Sequence, residues 1–296
     1  MTKFRDHVYS FKSMAVKVLG VLAMVLEATA YSTLPRAALT AQQSVAAPCG
    51  ARVRILARGN RRRGALALSA KTIAVFGSTG GVGLEAIYQS LGRGDTVRAL
   101  ARTPANVIVP PGSGGVSKEG RPLTSPALTV VQGDVTRYED VAKVMHGGVD
   151  CVVVALGGRT TEVGTTMLTD GTRNIIKAMK EVGRTCKVSV VTSIGAGESY
   201  DQAPFLFKVV MWTALKDAFV DKNKQESLFL DPGAPGNDLD FVIVRPGGLT
   251  NSAPSGQIKI LPRTEQAGSI ARADVAAFCL SALEGDAYAR SAVCIS

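Results

Sequence analysis

After residue 70 the chain alternates short apolar runs with longer segments whose apolar residues recur every three to four positions. This alternation is typical of strand-helix-strand units and a parallel sheet. The predicted strands are Thr72–Phe76, Thr96–Ala101, Leu128–Gln132, Cys151–Leu156, Lys187–Thr192, Phe241–Arg245 and Ala292–Ile295. The predicted helices are Val82–Leu91, Tyr138–Met145, Gly164–Val182, Phe205–Leu230, which could be broken, and Ala273–Leu283, whose Ser/Arg/Ala/Asp lead could cap it. The pattern predicts an α/β fold with a doubly wound parallel sheet.

Two segments interrupt the alternation. Residues 103–126 hold five prolines and the run Gly-Ser-Gly-Gly, so we expect a surface excursion without regular structure between the second and third strands. Residues 231–237 (Asp-Pro-Gly-Ala-Pro-Gly-Asn) predict a turn before the sixth strand. Neither segment has the character of an interdomain linker, so a single domain is predicted over residues 71–296.

The first 70 residues have the pattern of a targeting presequence. Basic residues precede the apolar run Met14–Ala30, which has signal-peptide length and closes on the small-x-small triplet Ala-Thr-Ala. Residues 31–70 are rich in Ala, Ser, Thr and Arg and contain no acid, as in organellar transit peptides. We predict a disordered, cleaved bipartite presequence, signal-like over 1–30 and transit-like over 31–70. It resembles the leaders of algae with complex plastids, which implies a plastid (chloroplast) location; a mitochondrial or secretory leader is the alternative.

Positive charge is concentrated in that presequence. The chain of 296 residues has a formal net charge of +10, and eleven of its 34 lysines and arginines precede Lys71, against two acids. The remainder is almost neutral and lacks the basic surface that nucleic-acid binding needs, so nucleic acid is excluded as the main partner. The apolar run is too short, and too interrupted by Lys17 and Glu27, for a stable membrane span. We expect a small-molecule substrate, and the oligomeric state stays open.

The cysteines and histidines give no support to metal chemistry. The five cysteines show no C-x-x-C or zinc spacing, and four lie in apolar runs where a buried, reduced thiol is expected. The two histidines are His7, in the presequence, and His146. We therefore predict no metal site and no Ser-His-Asp triad.

The strongest motif is the turn Gly77-Ser-Thr-Gly-Gly-Val-Gly83, which follows the first predicted strand and opens the first predicted helix. Gly77 permits a tight bend, Gly80 permits close approach of a pyrophosphate, and Gly83 permits close contact between helix and sheet. The free N–H groups and the dipole of a helix N-terminus favour phosphate. Glycine-rich loops occur in many α/β proteins, but the position of this one favours a dinucleotide site.

The ends of the next strands supply further candidates, because doubly wound sheets bind ligands beyond the carboxyl ends of their strands. The second strand ends in Arg102, at the place where an acid would hold the ribose of NAD(H). A guanidinium there can bind a 2′-phosphate, which favours NADP(H) over NAD(H); a solvated surface arginine is the alternative. Asp134, after the third strand, can accept a hydrogen bond from adenine or can be a plain turn residue.

Small and hydroxyl-bearing residues follow the fourth and fifth strands. Residues 155–158 (Ala-Leu-Gly-Gly) are consistent with a ligand that lies close to the backbone. Ser193, beside Thr192, can donate to a substrate carbonyl or to the nicotinamide side of the site. The same hydroxyl could equally satisfy local backbone groups.

Together the motifs resemble the atypical short-chain dehydrogenase/reductases, especially the NAD(P)-binding group of NmrA-like regulators and biliverdin or flavin reductases. The motifs are residues 77–83, 99–102 (Ala-Leu-Ala-Arg), 133–135 (Gly-Asp-Val), 171–179 (Gly-Thr-Arg-Asn-Ile-Ile-Lys-Ala-Met), 191–193 (Val-Thr-Ser) and 244–249 (Val-Arg-Pro-Gly-Gly-Leu). The resemblance implies a Rossmann fold that binds NADP(H). The cofactor-binding residues that it implies, together with the strand ends, are Gly77, Ser78, Thr79, Gly80, Gly81, Val82, Gly83, Arg102, Asp134, Val135, Ala155, Leu156, Gly157, Thr192, Ser193, Pro246 and Gly247.

The catalytic pattern of the family is incomplete in this chain. Classical members use Tyr-x-x-x-Lys, in which the lysine and the cofactor ribose lower the pKa of a tyrosine that passes a proton as hydride moves. The tyrosine position holds Trp212 before Lys216, Ala218 before Lys222 and Val220 before Lys224, and Tyr200 has Pro204 at the lysine position. Lys222, Lys224 and Glu226 resemble the Lys-and-Glu end of the family's helix, so the catalytic candidates are Ser193, Lys222 and Lys224.

The sequence thus favours an NADPH-dependent reductase whose acceptor needs little proton help, such as a flavin, a quinone or an enone. Its pocket is expected above Gly158, Ser193 and residues 246–249. The alternative is a sensor or an assembly or regulatory factor that binds NADP(H) without turnover. The missing tyrosine favours that alternative modestly.

Overall fold

A seven-stranded sheet forms the centre of the protein in a computed structural model that describes residues 52–54, 70–158, 160–182 and 186–296. The strands are β1 (Arg52–Arg54), β2 (Thr72–Phe76), β3 (Thr96–Ala101), β4 (Leu128–Gln132), β5 (Cys151–Val154), β6 (Lys187–Val191), β7 (Phe241–Pro246), β8 (Gly248–Thr250), β9 (Gln257–Lys259), β10 (Ser269–Ala271) and β11 (Ser291–Ile295). The helices are α1 (Gly81–Arg93), α2 (Pro111–Gly114), α3 (Tyr138–Met145), α4 (Thr160–Val163), α5 (Met167–Glu181), α6 (Phe205–Thr213), α7 (Lys216–Leu230) and α8 (Arg272–Ala282).

The strand order of the main sheet is β11-β7-β6-β5-β2-β3-β4, and each neighbouring pair is parallel. The chain runs outward from β2 through β3 to β4 and then returns to β5, on the other side of β2. This reversal confirms the doubly wound parallel sheet. It places the switch point between β2 and β5, where folds of this kind bind their ligands.

The sheet divides the core into two layers, because successive side chains of a strand point to opposite faces. Ile73 and Val75 of β2 belong to a cluster with residues of α1 and α8, whereas Ala74 and Phe76 belong to a cluster with residues of α3, α5 and α7. Helices cover both faces of the sheet, which explains why its strands read as continuous apolar runs.

The excursion between β3 and β4 contains two short helical segments, so the expectation that it lacks regular structure is wrong there. Pro104–Asn106 forms a 3₁₀ turn, and α2 forms a single helical turn. Each begins with proline, whose fixed φ suits the first helical position. The buried carboxylate of Glu85 accepts a hydrogen bond from the N–H of Ser113 at 3.0 Å, and this bond fastens the excursion to α1.

One predicted helix is shortened and another is divided. The helix predicted over Gly164–Val182 begins at Met167 as α5, and the separate turn α4 lies before the predicted range. The predicted Phe205–Leu230 breaks into α6 and α7, and Leu215 between them packs against a small apolar cluster that includes Met211. The pattern does not predict β8, β9 and β10, because three-residue strands are too short to show a readable period.

Helix α8 lacks the side-chain cap expected from its lead, so that prediction is wrong. Ala271 stands at the N-cap position, and no side chain caps the helix. Asp274 instead faces the loop between β8 and β9. Its carboxylate accepts hydrogen bonds from the N–H groups of Ser255 and Gly256 at 2.9 and 3.0 Å, which fixes that loop.

The predicted presequence segments 1–30 and 31–70 lie outside the described residues, apart from 52–54 and residue 70. The backbone of β1 pairs antiparallel with β9. The boundary between presequence and domain stays a prediction. In the ranges that the structure describes, no helix is long and apolar enough to cross a membrane.

Four cysteines are reduced and buried, as the apolar runs around them predict: Cys151, Cys186, Cys279 and Cys294. Burial raises the pKa of all four thiols, and it raises the pKa of Cys186 and of Cys279 to about 12. Cys49 lies outside the described residues.

Candidate functional site

The glycine turn enters α1 in a conformation that leaves no room for side chains. Gly77 has a φ of +85°, and a Cβ there would lie 2.2 Å from the carbonyl oxygen of Ala155. A Cβ on Gly83 would lie 2.1 Å from the carbonyl oxygen of Gly77. The turn is therefore held tightly between the chain after β5 and the first turn of α1.

The N-terminus of α1 has free hydrogen-bond donors. Gly80 at the N-cap offers no side-chain cap, and the first turn contains no acid. The N–H of Gly80 donates to Gly77, and the N–H of Leu84 donates to Gly80, at 3.0 and 2.8 Å. Within the described part of the chain, the N–H groups of residues 81–83 have no acceptor. Such donors, with the helix dipole, favour an anion.

The other residues of the turn offer a ligand different groups. Ser78 is buried, and its hydroxyl donates to the carbonyl oxygen of Leu100 at 2.5 Å. This bond ties the turn to β3 and occupies the hydroxyl. Val82 packs its side chain into the core, so only its backbone faces a ligand, and Thr79 is exposed.

Arg102 is an exposed cation next to the turn. It directly follows β3, and the bond from Ser78 to Leu100 brings this strand end close to the glycines. Among the residues that the structure describes, no carboxylate forms an ion pair with the Arg102 guanidinium. The arginine is thus available at the strand end where doubly wound folds hold the ribose.

Asp134 and Val135 follow β4. Oδ1 of Asp134 accepts hydrogen bonds from the N–H and the hydroxyl of Thr136 at 2.9 and 2.7 Å, so it forms a local turn. The other oxygen, Oδ2, has no hydrogen-bond partner in the described ranges and is the one free to accept a hydrogen bond from a ligand. Val135 buries its side chain, and its carbonyl oxygen accepts from Asn174 Nδ2 at 3.0 Å.

The residues after β5 form a floor of small groups beside the turn. The carbonyl of Ala155 lies against Gly77, and Leu156 buries its side chain in the core. Gly157 and Gly158 are exposed, and Gly157 has open space where a side chain would stand. A ligand can therefore approach the backbone closely at Gly157.

At the end of β6 the two hydroxyl residues face different partners. Thr192 is buried, and its hydroxyl donates to Glu226 Oε1 at 2.6 Å. Ser193 is half-buried and donates to the carbonyl oxygen of Ile194 at 3.0 Å, a local bond that a ligand could replace. The structure thus gives Thr192 a supporting position and leaves Ser193 as the accessible hydroxyl.

The two candidate lysines of α7 are placed differently. Lys222 is half-buried, and its Nζ donates to the carbonyl oxygen of Thr192 at 3.4 Å. Burial lowers the pKa of Lys222, while the carboxylates of Glu226 and Asp221 act to raise it. Lys224 is exposed on the same helix. Lys222 is therefore the lysine that lies at this strand end.

A buried ion pair supports the end of β6, and the sequence analysis does not find it. Arg245 of β7 donates through Nε to Glu226 Oε1 at 3.0 Å and through Nη2 to Glu226 Oε2 at 2.5 Å. Both side chains are at most 5% exposed. Gly197, with a φ of +52°, packs against the pair, since a Cβ there would lie 2.6 Å from Arg245 Nη2.

Pro246 and Gly247 are held by backbone packing at the end of β7. Pro246 is buried. The N–H of Gly247 donates to the carbonyl oxygen of Ile295 at 2.9 Å, and a Cβ on Gly247 would lie 2.3 Å from the carbonyl oxygen of Gly268. Because Pro246 and Gly247 are buried and Leu249 is exposed, the residues of β8 are more accessible to a ligand than these two residues.

Arg272, the first residue of α8, is a neighbour of the glycine turn that the sequence analysis misses. A Cβ on Gly81 would lie 2.4 Å from Arg272 Cδ and 2.8 Å from its Nε. Because the two residues are far apart in the chain, no spacing rule could have paired them. The signal available was only that an arginine directly precedes the last predicted helix.

No tyrosine in the described residues forms a hydrogen bond with Lys222 or Ser193. Ala218 lies one helical turn before Lys222 on α7. The hydroxyl of Tyr200 accepts a hydrogen bond from Trp212 Nε1 at 2.9 Å, in a surface cluster. The structure thus leaves the family's proton-donor position without a phenol.

The reversal of strand order, the glycine turn and the free donors at α1 define a Rossmann-type dinucleotide-binding domain. The family model described as NAD(P)H-binding matches residues 77–286. The chain belongs to this NAD(P)H-binding family, which confirms the resemblance to the atypical short-chain dehydrogenase/reductases.

Several known proteins are similar to this chain. An uncharacterised chloroplastic protein of Arabidopsis thaliana is 30% identical over 229 residues, which are 73% of this chain and 73% of that protein. Reductase pytE of Aspergillus terreus is 30% identical over 207 residues, 62% of this chain and 77% of that protein. The structure of the anaerobilin reductase ChuY from Escherichia coli O157:H7 shares the fold, with a TM-score of 0.57 at 23% identity over 76% of this chain and 96% of that one.

Proposed function

We propose that this protein is an NADPH-dependent reductase of a small organic acceptor such as a flavin, a quinone or an enone. One observation carries the proposal: a glycine turn with free N–H groups lies beside the exposed Arg102, which has no carboxylate partner in the described residues. The similarity to a fungal reductase supports reductase chemistry over other uses of the cofactor.

The residues of the turn fit a dinucleotide diphosphate. The positions of Gly77 and Gly83 exclude any side chain, so the backbone itself forms the surface that a ligand meets. The N–H groups of residues 81–83 have no acceptor among the described residues, and phosphate oxygens supply acceptors with the negative charge that the helix N-terminus favours.

Arg102 is proposed to select NADP(H) by binding the 2′-phosphate. We expect Arg102→Glu to weaken NADPH binding about tenfold to a hundredfold, because charge-assisted hydrogen bonds are lost and a carboxylate repels the phosphate. NADH binding should stay the same or become tighter. Calorimetric titration of each coenzyme measures the ratio of the two dissociation constants.

The matched control is Arg121→Glu, the same charge change at an exposed arginine of the excursion between β3 and β4. It should leave the ratio unchanged. An Arg102→Glu variant with the wild-type ratio would remove Arg102 from this role.

Lys222 and Ser193 are the chain's own groups that can bind and orient the cofactor and the acceptor. When bound, NADPH supplies the hydride. Lys222 holds an ammonium group at the end of β6, from which it can donate to a ribose hydroxyl or to an acceptor oxygen. Ser193 offers a second donor there. Since no phenol of the described residues is paired with Lys222, acceptors that need little proton delivery suit the site.

We expect Lys222→Met to lower kcat/KM for NADPH oxidation about tenfold to a hundredfold, the range for losing a hydrogen bond from a charged donor. Lys224→Met, two residues further along α7, should have no such effect because Lys224 is exposed. Absorbance at the NADPH band with a flavin or quinone acceptor gives both rates. Equal losses in the two variants would contradict the assignment.

A cofactor-binding sensor or assembly factor is the second candidate, and the missing phenol is the observation that favours it. The two functions are separated by testing wild-type protein against a panel of flavins, quinones and enones. Micromolar NADPH binding without oxidation of NADPH by any acceptor establishes the sensor. Oxidation with any one acceptor establishes the reductase.

We further propose that residues 1–70 form a cleaved presequence for plastid import and that residues 71–296 form the mature domain. The apolar run, the acid-free basic segment and the chloroplastic relative support this proposal. Removal of residues 1–70 would also remove β1 (Arg52–Arg54) and leave β9 without its partner strand. The location of a fluorescent protein fused to residues 1–70 tests the plastid assignment.

A further inference from the structure

The side chain of Arg272 lies across the start of α1. A Cβ on Gly81, the first residue of that helix, would come within 2.4 Å of Arg272 Cδ. A side chain at this position would therefore displace the arginine from its place over the helix. The stem of Arg272 reaches the same helix terminus whose N–H groups lack acceptors.

The residues that the structure describes do not balance the charge at this place. The N-terminus of a helix carries a partial positive charge, so a cation beside it is unfavourable. The guanidinium of Arg272 donates to two neutral oxygens, Asn251 Oδ1 at 2.8 Å and the carbonyl of Leu249 at 3.4 Å. In the ranges that the structure describes, Arg272 has no ion pair with a carboxylate, and the first turn of α1 has no acid.

We propose that Arg272 binds the diphosphate of the dinucleotide, together with the N–H groups of residues 81–83. This inference rests on the proposed function and deepens it, because it gives the two arginines separate tasks. Arg102 reads the 2′-phosphate, whereas Arg272 holds the diphosphate that NADPH and NADH share. Through Leu249 and Asn251, Arg272 also connects the diphosphate site to the β8 segment.

The separate tasks predict separate effects on a set of ligands. Arg272→Met keeps an unbranched apolar stem over Gly81 and removes the charge. It should weaken NADPH, NADH and ADP-ribose by the same factor, about tenfold to a hundredfold, because all three contain the diphosphate. Arg102→Glu should weaken NADPH alone. Calorimetry with the full chain measures the dissociation constants of the three ligands for wild type and for both variants.

Two further variants guard against a trivial loss of structure. Arg93→Met makes the same change at the other end of α1, where Arg93 pairs with Glu284, and should leave binding unchanged. Arg272→Lys keeps the charge and should recover part of the affinity that Arg272→Met loses. If Arg272→Met does not fold, Arg272→Lys tests the inference instead. We then expect a loss of affinity that is smaller than that predicted for Arg272→Met and the same for all three ligands.

The outcomes separate this inference from the proposed function. Wild-type protein that binds none of the three ligands overturns the proposed function and this inference with it. Wild-type binding with no change in Arg272→Met overturns only the inference and makes Arg272 a structural link to β8. A loss confined to NADPH also overturns it, since it would place Arg272 at the 2′-phosphate.

Discussion

Gly83→Ala is expected to weaken dinucleotide binding about a hundredfold or more and to lower the free energy of unfolding by about 3 kcal/mol. The added Cβ would lie 2.1 Å from the carbonyl oxygen and 2.8 Å from the carbonyl carbon of Gly77. Both atoms are backbone, so no flexible side chain can yield. The helix must move away from the turn, which displaces the N–H groups of residues 81–83. Losing two charge-assisted bonds to phosphate weakens binding about a hundredfold or more.

Gly92→Ala is the matched control, because it makes the same change near the other end of α1 with no atom within 4 Å of the new Cβ. There the alanine should stabilise the protein by about 0.5–1 kcal/mol through its better helix propensity. Chemical denaturation gives both stabilities, and calorimetry gives both affinities. Wild-type NADPH affinity in Gly83→Ala would show that the turn does not position the ligand.

Arg245→Met is expected to lower the free energy of unfolding by about 3–5 kcal/mol, since it leaves the carboxylate of Glu226 buried without its cation. The two hydrogen bonds from Arg245 are lost, and the bond from Thr192 is then the remaining one to Glu226 among the described residues. The end of β6, with Ser193, should loosen, so kcat/KM should fall along with stability. Urea denaturation of both proteins at pH 7 measures the stability difference.

The control for this buried pair is an exposed one. Arg173→Met removes the partner of Asp170 on α5, where both side chains are about half exposed, and should cost less than about 1 kcal/mol. Replacing both members of the buried pair, Glu226→Gln with Arg245→Met, should recover part of the loss because no bare charge remains. A single variant as stable as wild type would mean that water reaches Glu226.

The sequence predicts the parallel sheet well because the information there is local. Strands β2, β3 and β4 have the predicted bounds, since each is a short, mainly apolar run between turn residues, although β4, at the edge of the sheet, is only partly buried. The glycine turn is readable for the same reason, as a strand, a bend and a helix follow one another directly. The prolines of the excursion between β3 and β4 led to the wrong expectation of irregular structure, because proline at the first helical position starts a helical turn.

Contacts between distant segments could not be read in this way. The carboxylate of Glu226, on α7, accepts hydrogen bonds from Arg245, on β7. Arg272 contacts Gly81, although most of the domain's sequence separates the two residues. Each partner, taken alone, looks like an ordinary charged residue. The difference between Lys222 and Lys224 likewise depends on which side of α7 packs against β6. That choice follows from tertiary packing and not from the spacing of the lysines.

The burial of the four cysteines has a practical consequence for following the molecule in solution. A maleimide reacts with thiolate, so Cys151, Cys186, Cys279 and Cys294 should stay unlabelled until the domain opens. With Cys49 replaced by serine, the rate of labelling measures the rate of global opening. Bound NADPH should lower that rate. The same burial closes the domain to regulation by disulfide exchange with a redox partner while it stays folded.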